Sequence, residues 1–216
     1  MIPAVVDVCL AKSASRAAPA SSVTDLTGVM ANAAGCKTRV GGNIGIPALD
    51  LLTEDADLYV LELSSFQLET TSNLPLVAAA YLNLTEDHMD RYDYDVYNYV
   101  ASKFRITRNQ RAGQYLIYDA DDPVITNWLE LHPVQSTLLP FSLTKKVEQG
   151  AYLQNNNIKI LIDNSQITMP TTNLALEGKH NIKNAMAAST VAHLLKIRSH
   201  TLRESLENFQ GAEHRL

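Results

Sequence analysis

A mostly parallel α/β sheet with helices on both faces is the fold class that this sequence predicts, and three observations carry it. Short apolar runs, DLYVLEL at 57–63 and VAAAYLNL at 77–84, have the length and composition of strands buried on both sides. Stretches with apolar residues at helical spacing separate such runs, and strand–helix alternation builds parallel sheets. Residues 151–169 then alternate around an Asn-rich turn (AYLQ, NNN, IKILI), which adds a small β-hairpin region.

In chain order, AVVDVCL (4–10) reads as a strand, and residues 11–22 are rich in Ala and Ser without a period. Ser22 with Asp25 makes a capping-box-like start to a helix that carries Val23, Leu26, Met30 and Ala33 on one face and closes at Gly35. GGNIGIPALDLL, from Gly41, reads as a turn and a short helix. TEDHMDRY (85–92) is a polar loop, and residues 93–108 form a helix with Tyr97, Val100, Ala101 and Phe104 on one side. QYLIYD (114–119) is a third strand, a helix near 123–131 follows ADDP, and STLLPFS is a fourth strand. Helices at 181–195 and 202–209 complete the chain. Open sheets of this kind place ligands outside the carboxyl ends of their strands, which singles out the segments after DLYVLEL and after VAAAYLNL.

The chain has 216 residues, enough for one domain with a proper core. With 46% hydrophobic and 19% charged residues it has globular chemistry, and a formal charge of −5 argues against a nucleic-acid partner. A local phosphate site needs only a few backbone N–H groups and a cation, so it stays compatible with that charge. Two cysteines, Cys9 and Cys36, make no disulfide framework and point to a reducing compartment. The N-terminus has no basic segment, Asp7 interrupts its apolar run, and no stretch approaches the ~18 apolar residues of a membrane span. The expectation is a soluble, cytoplasmic protein with no membrane partner.

Glu62 ends a strongly apolar run, with Ser64, Ser65 and Gln67 just beyond. A carboxylate there is expensive unless a metal or cation accompanies it, or unless the strand is an edge facing water. His88 lies among Glu86, Asp87 and Asp90 past the next strand, where a metal or substrate role competes with a solvated loop. From spacing alone, Lys103 reads as a surface lysine, Asn181 and Asn184 as helix caps, and His214-Arg215 as a frayed basic terminus.

Six strings together resemble a known family: GGNIGIPAL (41–49), LYVLELSSFQLETT (58–71), LNLTEDHMDRY (82–92), ASKFRI (101–106), GKHNIKNAMAA (178–188) and HR (214–215). From about residue 21 onward their order and spacing are similar to the central, P-loop-type ATPase domain of the Mur ligases, and most of all to the branch that adds D-glutamate to UDP-N-acetylmuramoyl-L-alanine. The resemblance implies an ATP- and Mg2+-dependent amide ligase of peptidoglycan synthesis, acting as a monomer. ATP phosphorylates the substrate carboxylate and the amine of D-glutamate attacks the acyl phosphate, so catalysis is mainly positioning and electrostatics. It further implies that Glu62 binds magnesium and that His88 lies near a second magnesium and the substrate. Lys103 matches a lysine that the family carbamylates, which turns an ammonium into an anion able to ligate a hard cation. Asn43 and Ser64 match positions near the muramoyl substrate, Asn184 matches an adenine-side contact with Asn181 beside it, and Arg215 matches a nucleotide contact.

The sequence departs from the family pattern before Ser21. Family members carry a glycine-rich loop ending in Gly-Lys-Ser/Thr, whose N–H groups and lysine hold the phosphates. Here that stretch reads SASRAAPASS, with no glycine before Gly28 and Ala20 at the lysine position, while Ser21 and Ser22 keep the hydroxyls. Residues 1–20 are thus an atypical segment in place of the P-loop strand and loop, and 7–20 lack the pattern of a strand feeding such a loop. A shifted reading frame or a diverged loop accounts for the switch. The expected domain plan is a central ATP-binding domain at 21–216, without the N-terminal uridine-nucleotide and C-terminal domains. Such a chain is expected to be inactive on its own.

Overall fold

The computed structural model describes residues 8–11, 21–43, 45–51, 53, 55–86 and 88–211. Among them, nine strands form one sheet in the order β2-β3-β1-β4-β5-β6-β7-β8-β9. The strands are β1 (Val8–Ala11), β2 (Thr38–Gly42), β3 (Leu58–Leu63), β4 (Ala78–Tyr81), β5 (Tyr115–Asp119), β6 (Thr137–Ser142), β7 (Gly150–Gln154), β8 (Asn157–Ile162) and β9 (Ser165–Pro170). Pairing is parallel from β2 through β7, and antiparallel from β7 through β9. The expected mostly parallel sheet is therefore present. The expected hairpin belongs to the same sheet, because β7 pairs with β6 and β9 adds a third antiparallel strand.

Seven helices flank the described sheet: α1 (Ser21–Ala33), α2 (Ala48–Leu51), α3 (Ser65–Thr70), α4 (Val96–Phe104), α5 (Pro123–Leu131), α6 (Lys179–Leu194) and α7 (Ser199–Asn208). They bury both faces, so the inner strands read as unbroken apolar runs. Leu58, Val60, Ile117 and Phe141 face the side of α1, α6 and α7, where Val23, Leu26, Met186, Val191 and Leu202 cluster with them. Tyr59, Leu61, Tyr81 and Leu116 face the other side, against Leu68 of α3, Val100 and Phe104 of α4 and Ile125 of α5. Helix α6 is buried without a break from Asn184 to Ala192, and its small residues let it lie close along α1.

The order of strands defines a switch point. The chain runs from β3 past β1 to β4, so the course of the strands reverses around β1. Crevices open at such points outside the carboxyl ends. Local signals hold the segments there. Asp122 caps α5 by accepting the N–H groups of Val124 at 2.8 Å and Ile125 at 3.3 Å, with Pro123 in the first turn. Its other oxygen accepts the N–H of Leu84 at 2.9 Å, which fastens the loop after β4.

One boundary shifts. The first strand was expected at 4–10, and the described strand is Val8–Ala11, β1, in the middle of the sheet and bonded to β3 and β4, although residues 7–20 lack the hydrophobic pattern of a strand feeding a P-loop. Two neighbours supply its hydrogen bonds, so four residues without a marked pattern suffice. Residues 4–7 lie outside the described residues. β2, α3 and β9 went unread: β2 is half-buried and glycine-ended, and α3 is too short to show a period.

Two-sided burial makes neighbouring residues of β5 equally sensitive. Leu116→Ala and Ile117→Ala should each lower stability by about 2–5 kcal/mol, whereas Gln166→Ala on exposed β9 should change it by less than about 0.5 kcal/mol, measured by urea unfolding.

Candidate functional site

Glu62 is the fifth residue of β3, a strand buried at every position, and is itself only 2% exposed. By alternation its side chain shares the face of Leu58 and Val60, the side on which α1 packs. Its carbonyl accepts the N–H of Asn43 at 2.6 Å, and the N–H of Gly42 bonds the carbonyl of Ile46 at 2.8 Å, folding the GGNIG turn against the end of β3. Gly42 adopts φ +117°, and a Cβ there would meet the Glu62 oxygen at 2.3 Å. Only glycine permits this approach. The exposed Asn43 is thereby set beside Glu62.

Ser64 follows as the N-cap of α3. Its hydroxyl accepts the N–H of Gln67, and the Gln67 side chain accepts the Ser64 N–H at 2.8 Å, a complete capping box. The hydroxyl also donates to Gln67 Oε1 at 3.1 Å. His88 takes a left-handed backbone (φ 50°) before a 3-10 turn, Met89–Tyr92, and its ring lies 5.4 Å from the Phe66 ring of α3. The Arg91 guanidinium stacks over the same Phe66 ring, 4.5 Å from its centroid.

Lys103 was expected from spacing to be a surface lysine; the structure buries it, 3% exposed. Its Nζ lies 5.6 Å from the centroid of the Tyr99 ring. Its carbonyl accepts the hydroxyl of Tyr81, the last residue of β4, at 2.6 Å. Asn43, Glu62 and Ser64 thus lie together at the end of β3, His88 lies against α3 in the turn after β4, and Lys103 is in the last turn of α4, a helix in contact with α3. Among the described residues no group of three or more His, Cys, Asp or Glu side chains is arranged to hold a metal. Asp87, one of the acidic neighbours of His88, lies outside them.

Asn181 and Asn184 stand apart, on α6. Neither caps the helix: Gly178 is the N-cap and provides no side chain. Asn181 Nδ2 donates back to the Glu177 carbonyl at 2.7 Å. Asn184 is buried, and its Nδ2 has no hydrogen-bond partner among the described residues. Both asparagines line an apolar pocket with Leu26, Leu174, Leu206 and Phe209. Ser21 and Ser22 open α1, with side chains outside the described set, and Arg215 lies outside it altogether.

Sequence reasoning passed over two polar groups. In the first, Glu69 at the end of α3 takes a hydrogen bond from Arg91 at 2.8 Å and one from the buried Ser102 at 3.1 Å. Burial works to raise its pKa, but bonds from Arg91, Tyr92 and Ser102 outweigh that and hold it below the ordinary value. In the second, Lys183 of α6 reaches Asp119 at the end of β5 at 2.5 Å, with Asp121 at 3.8 Å. Burial pushes the Asp119 carboxyl above its ordinary value even though Lys183 pulls it down. Burial also works to raise Asp121, but Ser142, Thr144 and the Leu143 N–H hold it below. Glu69 lies inside a string already singled out, so a signal existed; Asp119 and Lys183 are 64 residues apart, and no spacing joins them.

Comparison with known proteins matches residues 11–192 to the Mur ligase middle domain. The UDP-N-acetylmuramoylalanine–D-glutamate ligase of Christiangramia forsetii is 53% identical over 197 residues, covering 91% of this chain and 44% of the relative. The ligases of the same name from Aliivibrio salmonicida and Bacteroides fragilis are 45% and 39% identical, covering 90% and 91% of this chain and 42% and 44% of theirs. The chain spans less than half the length of these relatives. Among solved structures, a UDP-N-acetylmuramoyl-L-alanyl-D-glutamate–2,6-diaminopimelate ligase superposes with a TM-score of 0.73 at 17% identity, over 98% of this chain and 47% of its own. MurF from Acinetobacter baumannii does so at 0.69 and 19%, over 98% and 48%. At these identities the structural likeness speaks for the fold.

Two substitutions test the geometry. Gly42→Ala should destabilise the fold by about 2 kcal/mol or more, read as a lower urea midpoint, because both φ and the contact with Glu62 oppose a side chain. Lys183→Met should lower the melting temperature more at about pH 8 than at about pH 5. Asp119 already has a raised pKa, so its ionisation works against the fold as pH rises; without Lys183 that pKa rises further, and protonation relieves the enclosed charge on the acid side. Lys183 keeps some contact with water, so the alkaline loss should be about 2 kcal/mol, below the ~3–5 of a fully enclosed pair.

Proposed function

The chain belongs to the Mur ligase family, of which it carries the middle domain, and on that premise we propose that it comes from an ATP-dependent ligase joining D-glutamate to UDP-N-acetylmuramoyl-L-alanine for peptidoglycan. The observation that supports this most is the meeting, at the switch point, of the two strings LELSSFQLETT and TEDHMDRY with Lys103. The relatives at 53% and 45% identity carry that activity in their names.

In this reading Glu62 is the magnesium ligand. A carboxylate enclosed at a strand end suits a hard cation, which both needs oxygen donors and offsets the charge. His88 sits toward the same edge, and Lys103 joins the ligands when carbamylated, since an ammonium donates hydrogen bonds but no lone pair. Asn43 and Ser64 face the muramoyl substrate. Asn184 offers a buried amide donor inside an apolar pocket, which suits the flat, acceptor-bearing adenine of ATP, and Asn181 lies one turn earlier. Ser21 and Ser22 stand where phosphates meet the start of α1, and Arg215 belongs to the nucleotide side. When bound, ATP and magnesium supply the phosphoryl group that activates the substrate carboxylate and the charge that stabilises its transfer. We place the protein in the cytoplasm as a monomer; among the described residues no helix is long and apolar enough to cross a membrane.

One observation favours a narrower reading for the chain acting alone. Residues 12–20, KSASRAAPA, join β1 to α1 with no glycine and with Ala20 before Ser21. A phosphate cradle needs closely approaching N–H groups and a lysine at that joint. The isolated chain is therefore proposed to be catalytically silent.

Both readings are open to one assay of phosphate release with ATP, magnesium, UDP-N-acetylmuramoyl-L-alanine and D-glutamate. The chain alone should release nothing above background, and turnover at an ordinary rate of ~1–10³ s⁻¹ would refute its silence. Residues 21–211 grafted into the Christiangramia forsetii ligase should preserve D-glutamate-dependent release; a folded graft that releases none overturns the ligase reading.

A further inference from the structure

We propose that Glu69 is a positioning residue that fixes the distance between His88 and Lys103, a role that rests on the ligase reading of the site. His88 and Lys103 belong to different segments, the turn after β4 and the last turn of α4, and no strand pairing sets one against the other. Helix α3 packs beside both segments, and Glu69 is bonded to each of them. One carboxylate oxygen accepts from Arg91, three residues beyond His88, at 2.8 Å. The other accepts from Ser102, the residue before Lys103, at 3.1 Å.

Neither bond would suffice alone. Arg91 is half exposed, and an ion pair at such a place is worth little. Ser102 is buried, and its hydroxyl also lies near Tyr92 Oη at 3.3 Å and the Ser65 carbonyl at 3.5 Å. Tyr92 ends the same 3-10 turn that carries Arg91. Glu69, Ser102, Tyr92 and Arg91 therefore close a loop of contacts across α3, α4 and the His88 turn. Two further bonds brace the same joint: Arg105 Nε donates to the Leu68 carbonyl at 3.0 Å, and its Nη2 donates to the Glu69 carbonyl at 3.1 Å. These grip the backbone of α3, so the Glu69 side chain spans both partners from a fixed base, beside the direct Tyr92–Ser102 contact. On the far side, Phe66 of the same helix touches both the His88 ring and the Arg91 guanidinium.

The test uses the full chain with Mn2+ as the probe, in bicarbonate buffer, with affinity read from the free-ion signal in electron paramagnetic resonance. Glu62→Ala defines the signal that belongs to the site. Glu69→Ala should weaken Mn2+ binding about tenfold, the scale expected when a group supporting a ligand is removed, while the melting temperature stays close to that of the unsubstituted chain. Glu69→Gln keeps an acceptor for Ser102 and loses the ion pair; it should fold and show an intermediate loss, and it carries the test if the alanine variant does not fold. Glu69 variants that bind Mn2+ as well as the unsubstituted chain overturn the positioning role while leaving the metal reading intact. Absence of Glu62-dependent binding in the unsubstituted chain overturns the metal reading, and the positioning role with it.

Discussion

Burial of the central strands on both faces is the constraint from which the rest of the structure follows. β3, β4 and β5 have helices above and below, so nearly all of their side chains are committed to packing. Polar groups can enter only where the strands end. At the carboxyl edge the reversal of strand order around β1 parts the connecting segments, and α3, the turn at His88 and α4 pack on one another beyond the strands. Glu62 is the exception that marks the place, a carboxylate held inside an otherwise apolar strand.

Hydrogen bonds to the backbone help hold the edge together. Asn43 is placed by a bond to the Glu62 carbonyl, Ser64 by the capping box of α3, and Lys103 by the Tyr81 hydroxyl on its carbonyl. Each bond fixes a main chain and so sets where a side chain begins. The two asparagines of α6 belong to a second region on the α1 face, and Leu26 of α1 lines their pocket. α1 is therefore the element common to both, since Glu62 shares the face on which it packs.

Much of this was legible in the sequence. Continuous apolar runs gave away β3, β4 and β5 because two-sided burial writes itself as such a run. β2 was hidden because its edge position leaves it half-buried and its last residues are glycines chosen for close approach. α3 has six residues, fewer than two turns, yet Ser64 and Gln67 spell a capping box three residues apart that could have disclosed it. Glu62 stood out by the cost of a carboxylate among apolar neighbours. Lys103 did not, since its spacing matches a solvated face; only its packing against Tyr99 and the end of β4 shows it enclosed. Asn184 was read as a cap, whereas the helix begins on Gly178 and the amide turns into a pocket. Asp119 and Lys183 could not be paired from the sequence, because what joins them is the sheet's own parallel order, which sets α6 over the end of β5.

Asp122 serves two masters: one oxygen starts α5 and the other holds the N–H of Leu84, four residues before His88. Helix nucleation and loop placement thus share one carboxylate across 38 residues of sequence. A change there would pass through the protein as a folding defect and a geometric defect at once, and no measurement of one alone could be read without the other.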